Sequence, residues 1–161
     1  MMKRRFIAAV GLAGIAGALI VVPLARGDAL AGAGELYQTD NWRTEKHVPV
    51  IQCPDELVAG ETTAVTVSVG EEIPHPNTTE HHIRWIRLYF LPQGGTFAYE
   101  IGHFEFSAHG ESTQGPDTGT LYTRPRVTVE FRTGVPGVLY ATAFCNIHGL
   151  WEDSKEIAVK G

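Results

Sequence analysis

From Val48 onward, no stretch of this chain sustains a helical repeat of apolar residues, which argues against helical bundles and alternating α/β folds. What it carries is a series of short runs rich in β-branched and aromatic residues. Ala64-Val65-Thr66-Val67-Ser68-Val69 alternates cleanly, with Val65, Val67 and Val69 on one side. Ile83 to Leu91 is rich in Ile, Trp, Tyr and Phe, and Phe97 to Phe106 is a further aromatic-rich run. Val127, Val129 and Phe131 alternate with Thr128 and Glu130, and Val138 to Phe144 and Glu156 to Val159 complete the series. Turn residues punctuate these runs at Pro92-Gln93-Gly94-Gly95, Gly115-Pro116-Asp117 and Gly134-Val135-Pro136-Gly137. Counting the strand entered at Val48, the pattern predicts an all-β domain of about seven strands arranged as a β-sandwich. Residues 32–44 read as an irregular lead-in. There is no internal repeat, low-complexity segment or second domain.

The first 31 residues belong to a different class. Lys3, Arg4 and Arg5 form a basic start, and Phe6 to Ala25 is a Gly/Ala-rich apolar run. Ala29-Leu30-Ala31 offers a small-x-small cleavage site, so a signal peptide over 1–31 would leave a mature domain of 32–161. Arg4-Arg5 resembles a twin-arginine signal, with the departure that Phe6 follows the pair directly. An ordinary secretory signal is the alternative. An uncleaved anchor is another, because the run is close to the roughly 20 residues that span a bilayer. Each reading puts the domain in the periplasm or otherwise outside the cytoplasm. The membrane is a partner only if the signal is uncleaved.

The whole chain has 13 Lys/Arg and 18 Asp/Glu. With Lys3, Arg4, Arg5, Arg26 and Asp28 set aside, 9 basic and 17 acidic residues remain, a net charge of −8. Nucleic acid is excluded as a partner, since phosphate binding needs a basic face.

The chemistry-bearing residues sit between the strands. Cys145-Asn146-Ile147-His148-Gly149 closes one run, and the pair His75 and His81 precedes another. His47 lies in Glu45-Lys46-His47-Val48-Pro49, where proline forces an extended entry into the sheet. One thiolate with several imidazoles is a ligand set for a transition metal. With only two cysteines, a tetrathiolate zinc or iron–sulfur site is excluded. A tight turn can aim Cys145 and His148 at one ion while its N–H groups face the sulfur.

Together these strings resemble the iron-containing superoxide reductases, the neelaredoxin and desulfoferrodoxin family. The resemblance runs from about Asn41 to Ile157. It is carried by Glu45 to Pro49, by Glu72-Ile73-Pro74-His75-Pro76-Asn77 through His81, and by Ala143-Phe144-Cys145-Asn146-Ile147-His148-Gly149. It implies an immunoglobulin-like β-sandwich and a mononuclear Fe2+/Fe3+ site with His47, His75, His81 and His148 as equatorial ligands and Cys145 as the axial one. It implies one-electron reduction of superoxide to hydrogen peroxide, with Lys46 attracting superoxide or orienting a proton-donating water. Glu45 would occupy the sixth position of the oxidised iron. The chain lacks the four-cysteine module of two-iron members and so resembles the one-iron class, for which a homotetramer is expected. The export signal departs from the family pattern and points to an extracytoplasmic electron donor, a cytochrome or rubredoxin-like carrier.

His82 adjoins His81 and is expected to turn to the other face of its strand. His103 and His109 lie outside the motifs and read as structural or exposed, and Cys53 as a partly buried free thiol. The competing reading is a cupredoxin-like electron-transfer protein without catalysis. It needs a downstream axial methionine, and both methionines here are Met1 and Met2.

Overall fold

Eight strands and a single 3-10 turn, Ala33–Leu36, organise residues 32–161, the part of the chain that the computed structural model describes. The predicted signal segment lies outside the described residues. The strands are β1 (Pro49–Gln52), β2 (Glu56–Val58), β3 (Thr63–Val69), β4 (Ile83–Pro92), β5 (Tyr99–Glu105), β6 (Arg126–Phe131), β7 (Gly137–Cys145) and β8 (Gly149–Lys160). They form two sheets, β1-β3-β6 and β2-β8-β7-β4-β5. All neighbours are antiparallel except β2 and β8, which run parallel. The expected sandwich is therefore present, with one strand more than the sequence pattern predicts. That strand is the three-residue β2, too short to show a period. Among the described residues no helix is long and apolar enough to cross a membrane.

Alternation puts one face of each sheet inward. Val65, Val67 and Val69 of β3 meet Ile86, Leu88 and Phe90 of β4 and Leu139, Ala141 and Ala143 of β7, and all are buried in one core. Each large apolar side chain so buried contributes about 1.5–3 kcal/mol. In β4 the buried positions change phase, from Ile83 to Ile86, Leu88 and Phe90. The cause is a bulge: Ile83 opposes Cys145 but Trp85 opposes Phe144, leaving Arg84 as the additional residue. On β7 the core face continues Leu139, Ala141, Ala143, Cys145, so the sulfur is delivered to the inner face at the strand's last residue.

The register also decides where the loops emerge. Pro49 pairs with Val69, so the segment before β1 and the segment after β3 leave the small sheet together. Ile83 pairs with Cys145 and Cys145 with Gly149, so the entry to β4 and the β7–β8 turn leave the large sheet together. At the far end of β4 and β7, Pro92 pairs with Gly137, and a cavity of about 550 Å³ is lined there by Leu91, Gly94, Pro136 and Glu156 among others. None of the histidines borders it.

Candidate metal centre

The loop ends described above carry His47, His75, His81, Cys145 and His148, and the two sheets bring them to one place. The four imidazole rings form a closed square. Neighbouring centroids are 4.8 Å apart for His47–His75, 4.6 Å for His75–His81, 4.8 Å for His81–His148 and 4.6 Å for His148–His47. Each ring stands at 67–76° to its neighbours, and the His47–His81 diagonal is 6.1 Å. One ligand atom from each of His47, His75, His81 and Cys145 lies within 4.8 Å of the others. His148 completes the set: its Nδ1 is 2.9 Å from His47 Nε2 and 3.5 Å from Cys145 Sγ.

The outward nitrogens explain which atoms face inward. His75 Nδ1 lies 2.6 Å from the Pro76 carbonyl, which only accepts, so Nδ1 carries the proton and Nε2 its lone pair. His47 Nδ1 meets the Glu45 carboxylate at 2.5 Å, which leaves its Nε2 likewise free to bind. The Nε2 atoms of His75 and His81 are buried without a hydrogen-bond partner. Buried polar atoms without partners are costly. A cation in the square would relieve both, and also the approach of His47 Nε2 to His148 Nδ1. The donors therefore fit a metal, three through Nε2 or its equivalent and His148 through Nδ1. A thiolate with imidazoles suits iron, zinc or copper.

Local devices hold each ligand. Gly70 has φ +79°, and a Cβ there would lie 2.5 Å from the His75 backbone nitrogen, so only glycine lets the chain leave β3 toward His75. Thr78 closes the other half of that loop: its N–H donates to the His81 carbonyl at 3.0 Å and its Oγ1 accepts from the His81 N–H at 3.0 Å. Asn146 ties the cysteine turn to the same loop, its Nδ2 donating to the Glu80 carbonyl at 2.7 Å and its Oδ1 accepting the His82 N–H at 2.9 Å. The turn Asn146-Ile147-His148 ends in Gly149 at φ +81°, as a three-residue hairpin requires. Gln38 Nε2 and Trp151 Nε1 both donate to the His148 carbonyl, at 2.9 and 3.3 Å. The Trp151 ring also stacks on His47 at 4.9 Å.

Several sequence expectations meet their geometry here. Glu45 reaches the ring edge of His47 rather than the centre, and also accepts the His47 N–H at 3.1 Å. Burial acts to raise its pKa, but the hydrogen bonds from His47 outweigh this and hold it below the usual carboxylate range. Lys46 is half-buried, and its charge acts to lower the pKa of His47, His75 and His81. Among the described hydrogen bonds, no turn N–H reaches the sulfur; the Asn146 N–H instead donates to the His82 carbonyl at 3.1 Å. His82 faces away from the square and stacks on buried His109, while His103 is exposed. Cys53 and Cys145 are both free thiols, and burial pushes the Cys53 thiol up. Gln38 and Trp151 carry no signal in the sequence, and Asn77 and Thr78 stand in a motif with no role for their side chains. Asn146 stood in a quoted motif with no role for its side chain.

Residues 39–154 match the desulfoferrodoxin family. The chain is 58% identical to a neelaredoxin of Megalodesulfovibrio gigas over 126 residues, covering 78% of this chain and 97% of that protein. It is 55% identical to a superoxide reductase of Pyrococcus furiosus over 119 residues, 74% of this chain and 94% of that one. It is also similar to the solved structure of the superoxide reductase (neelaredoxin) of Archaeoglobus fulgidus in the reduced form. There the TM-score is 0.72 at 50% identity, covering 76% of this chain and 98% of that one.

The histidines make the metal-free domain acid-sensitive. Burial is the leading cause that lowers the pKa of His47, His75 and His81, taking His75 from 6.5 to about 4. Between those values the unfolded chain binds protons that the native one does not. The contribution of His75 to stability is therefore fully present above pH 6.5 and is lost as the pH drops toward 4, by up to about 1.4 kcal/mol per pH unit, and His47 and His81 act in the same direction. Urea midpoints of the metal-free protein should decline over that window, with a shallower decline in His75→Ala. A midpoint independent of pH from 6.5 to 4 would contradict the assignment of these shifts.

Proposed function

Since the chain belongs to the desulfoferrodoxin family, we infer that its histidine square and Cys145 hold one iron ion and that it reduces superoxide to hydrogen peroxide with an electron from an external donor. The protein is a superoxide reductase, an oxidoreductase with superoxide as acceptor. The observation that carries this reading is the square of four imidazoles over a buried sulfur, two of its nitrogens lacking any other partner. Bound iron supplies a one-electron ferrous–ferric couple and a position for a small anion.

The side chains around it do the rest. Cys145 is fully buried, so its sulfur approaches from the core and leaves the solvent side for substrate. With neutral imidazoles and a single thiolate as ligands, bound iron would leave the site net positive. Lys46 adds a positive charge on a domain whose residues 32–161 sum to −8, and it focuses an anion against that acidic background. Reduction of superoxide also consumes two protons, and the Lys46 ammonium can hold a water that supplies one. Glu45 keeps the proton of His47 on Nδ1. Were the carboxylate to bind the iron as well, it would first have to release His47 Nδ1.

The discriminating experiment combines iron quantitation, the visible spectrum of the oxidised protein, and superoxide consumption with a reductant present. Reductant should be consumed in step with superoxide, without evolution of dioxygen. Dioxygen evolution without reductant consumption would make the protein a dismutase, and retained iron without superoxide loss would make it an electron carrier.

The same proposal includes location and partners. The basic start and apolar run of residues 1–31 support export, and a cytochrome or rubredoxin-like carrier outside the cytoplasm is then the electron source. Iron binding needs Cys145 as a thiolate, and an oxidising compartment threatens that thiol. Loading in the cytoplasm followed by twin-arginine export of the folded domain avoids the threat. Assembly is proposed as a homotetramer, and a monomeric mass by light scattering would remove that part.

Three outcomes are expected. Cys145→Ser should lose the sulfur-to-iron charge-transfer band and most of the reductase activity; an unchanged band rules out Cys145 as a ligand. Lys46→Ala should slow the bimolecular reaction and flatten its salt dependence, most visibly at low salt, since the Debye length is about 10 Å at 0.1 M; an identical rate and salt slope returns Lys46 to the solvated surface. Replacing Arg4 and Arg5 by lysine should leave iron-loaded precursor in the cytoplasm on fractionation. Normal export of that variant with its iron would show a general secretory signal.

A further inference from the structure

We propose that His109, outside the ligand set, is a positioning residue for the metal centre: through Asn77 it holds the loop that carries His75 and His81. The inference rests on the reading of that cluster as the iron site.

His109 is 3% exposed and sits on the segment between β5 and β6. Its Nδ1 is 2.7 Å from Asn77 Oδ1, and its Nε2 is 2.9 Å from the Phe106 carbonyl. Asn77 lies between the two ligands, and its Nδ2 donates to the Thr123 carbonyl at 2.9 Å. A carbonyl only accepts, so the amide cannot turn without setting oxygen against oxygen. Its Oδ1 is thereby fixed as the acceptor for His109. The His109 ring also lies flat on His82, with centroids 3.7 Å apart at 10°, and His82 Nδ1 donates to the Thr78 carbonyl at 2.8 Å. One buried ring therefore grips the ligand loop at both ends, by a hydrogen bond at Asn77 and a stack at His82. A further tie lies beside it, where Asp117 Oδ1 accepts from the Thr79 N–H at 2.7 Å.

Both acceptors of His109 are satisfied only when the ring carries two protons. Burial pulls its pKa down, the Phe106 carbonyl and Glu111 act to raise it, and His82 and Arg84 act with burial. Thr123 sets the amide of Asn77 whatever the charge of the ring, and the tether needs only a proton on Nδ1, which the neutral Nδ1–H tautomer supplies as well as the charged ring.

Two substitutions separate the tether from mere filling of space. His109→Asn places a donor nitrogen where Nδ1 stood and keeps the Asn77 bond; His109→Gln places one where Nε2 stood and loses it. Both lose the ring stack. Two readouts apply: the charge-transfer maximum of the oxidised iron-loaded protein, and amide exchange at Thr78–His81 in the metal-free protein. His109→Gln should shift the band and raise exchange by up to about tenfold, the factor for one lost hydrogen bond. His109→Asn should stay close to the parent in both. Asn77→Ala should match His109→Gln, and the double variant should show no further change. Equal effects of His109→Asn and His109→Gln, or additive effects of Asn77→Ala and His109→Gln, would overturn the tether. If neither His109 variant folds, unchanged loop exchange in Asn77→Ala overturns it alone. A parent protein that binds no iron overturns the site reading instead, and the exchange measurement still decides the role of His109.

Discussion

The last rung of the β4–β7 ladder, Ile83 opposite Cys145, is the constraint on which the site depends. It places the cysteine on the core face of β7 at the point where that face runs out. It sets Cys145 opposite Gly149 as well, so the next strand begins immediately and the His148 turn has no slack. It also fixes the start of β4, and hence the position of His81 just before it. An ionised sulfur at a fully buried position needs a positive partner close by. The square of imidazoles stands beside the sulfur, with His148 Nδ1 3.5 Å away, and can hold such a partner. The bulge at Arg84 reconciles this rung with the rest of the core, because it lets Ile83 and Ile86 both face inward.

The second requirement is rigidity in a segment that has no regular structure of its own. Thirteen residues separate β3 from β4, and they carry two of the five proposed ligands. Loops of roughly this length inside compact domains are uncommon and usually functional. This one is held by Gly70 at its exit, by the Thr78–His81 closure within it, and by side chains from two other segments: Asn146 of the β7–β8 turn, and His109 and Asp117 of the β5–β6 connection. Each hydrogen bond contributes only about 0.5–1.5 kcal/mol net. Their value lies in acting on the same few residues, so that neighbouring imidazoles are held at 67–76° to one another. A prearranged square loses less ordering entropy on binding than a loose loop would.

Electrostatics divides along the same lines. The domain is acidic overall, yet the side of the site that faces water has Lys46 beside His47 and the exposed His148 at its edge. Glu45 is the nearby exception, and it is engaged with the outer nitrogen of His47. Lys46 therefore places a positive charge beside the site on a domain that is acidic overall, which favours the approach of an anion there.

The strands and the ligand types were legible in the sequence because both are local properties. Alternating valines in β3, the aromatic run of β4 and the Cys-x-x-His-Gly turn each announce themselves within a few residues. The early part of β8 did not, because Gly149 to Lys155 carries four charged or polar residues whose strand geometry comes from hydrogen bonds to β7, its neighbour across the turn. The three-residue β2 likewise exists only through β8. The resemblance implied that Glu45 and His47 both serve the metal, but only the folded chain puts the carboxylate on the far nitrogen of the ring. Trp151 against His47, and His109 against Asn77, were invisible for the same reason. Residue type and spacing determined which atoms can bind a metal, since that is a matter of donor chemistry and turn geometry. Which of those atoms face inward, and what keeps them there, was decided by contacts between residues far apart in the chain, which no local pattern encodes.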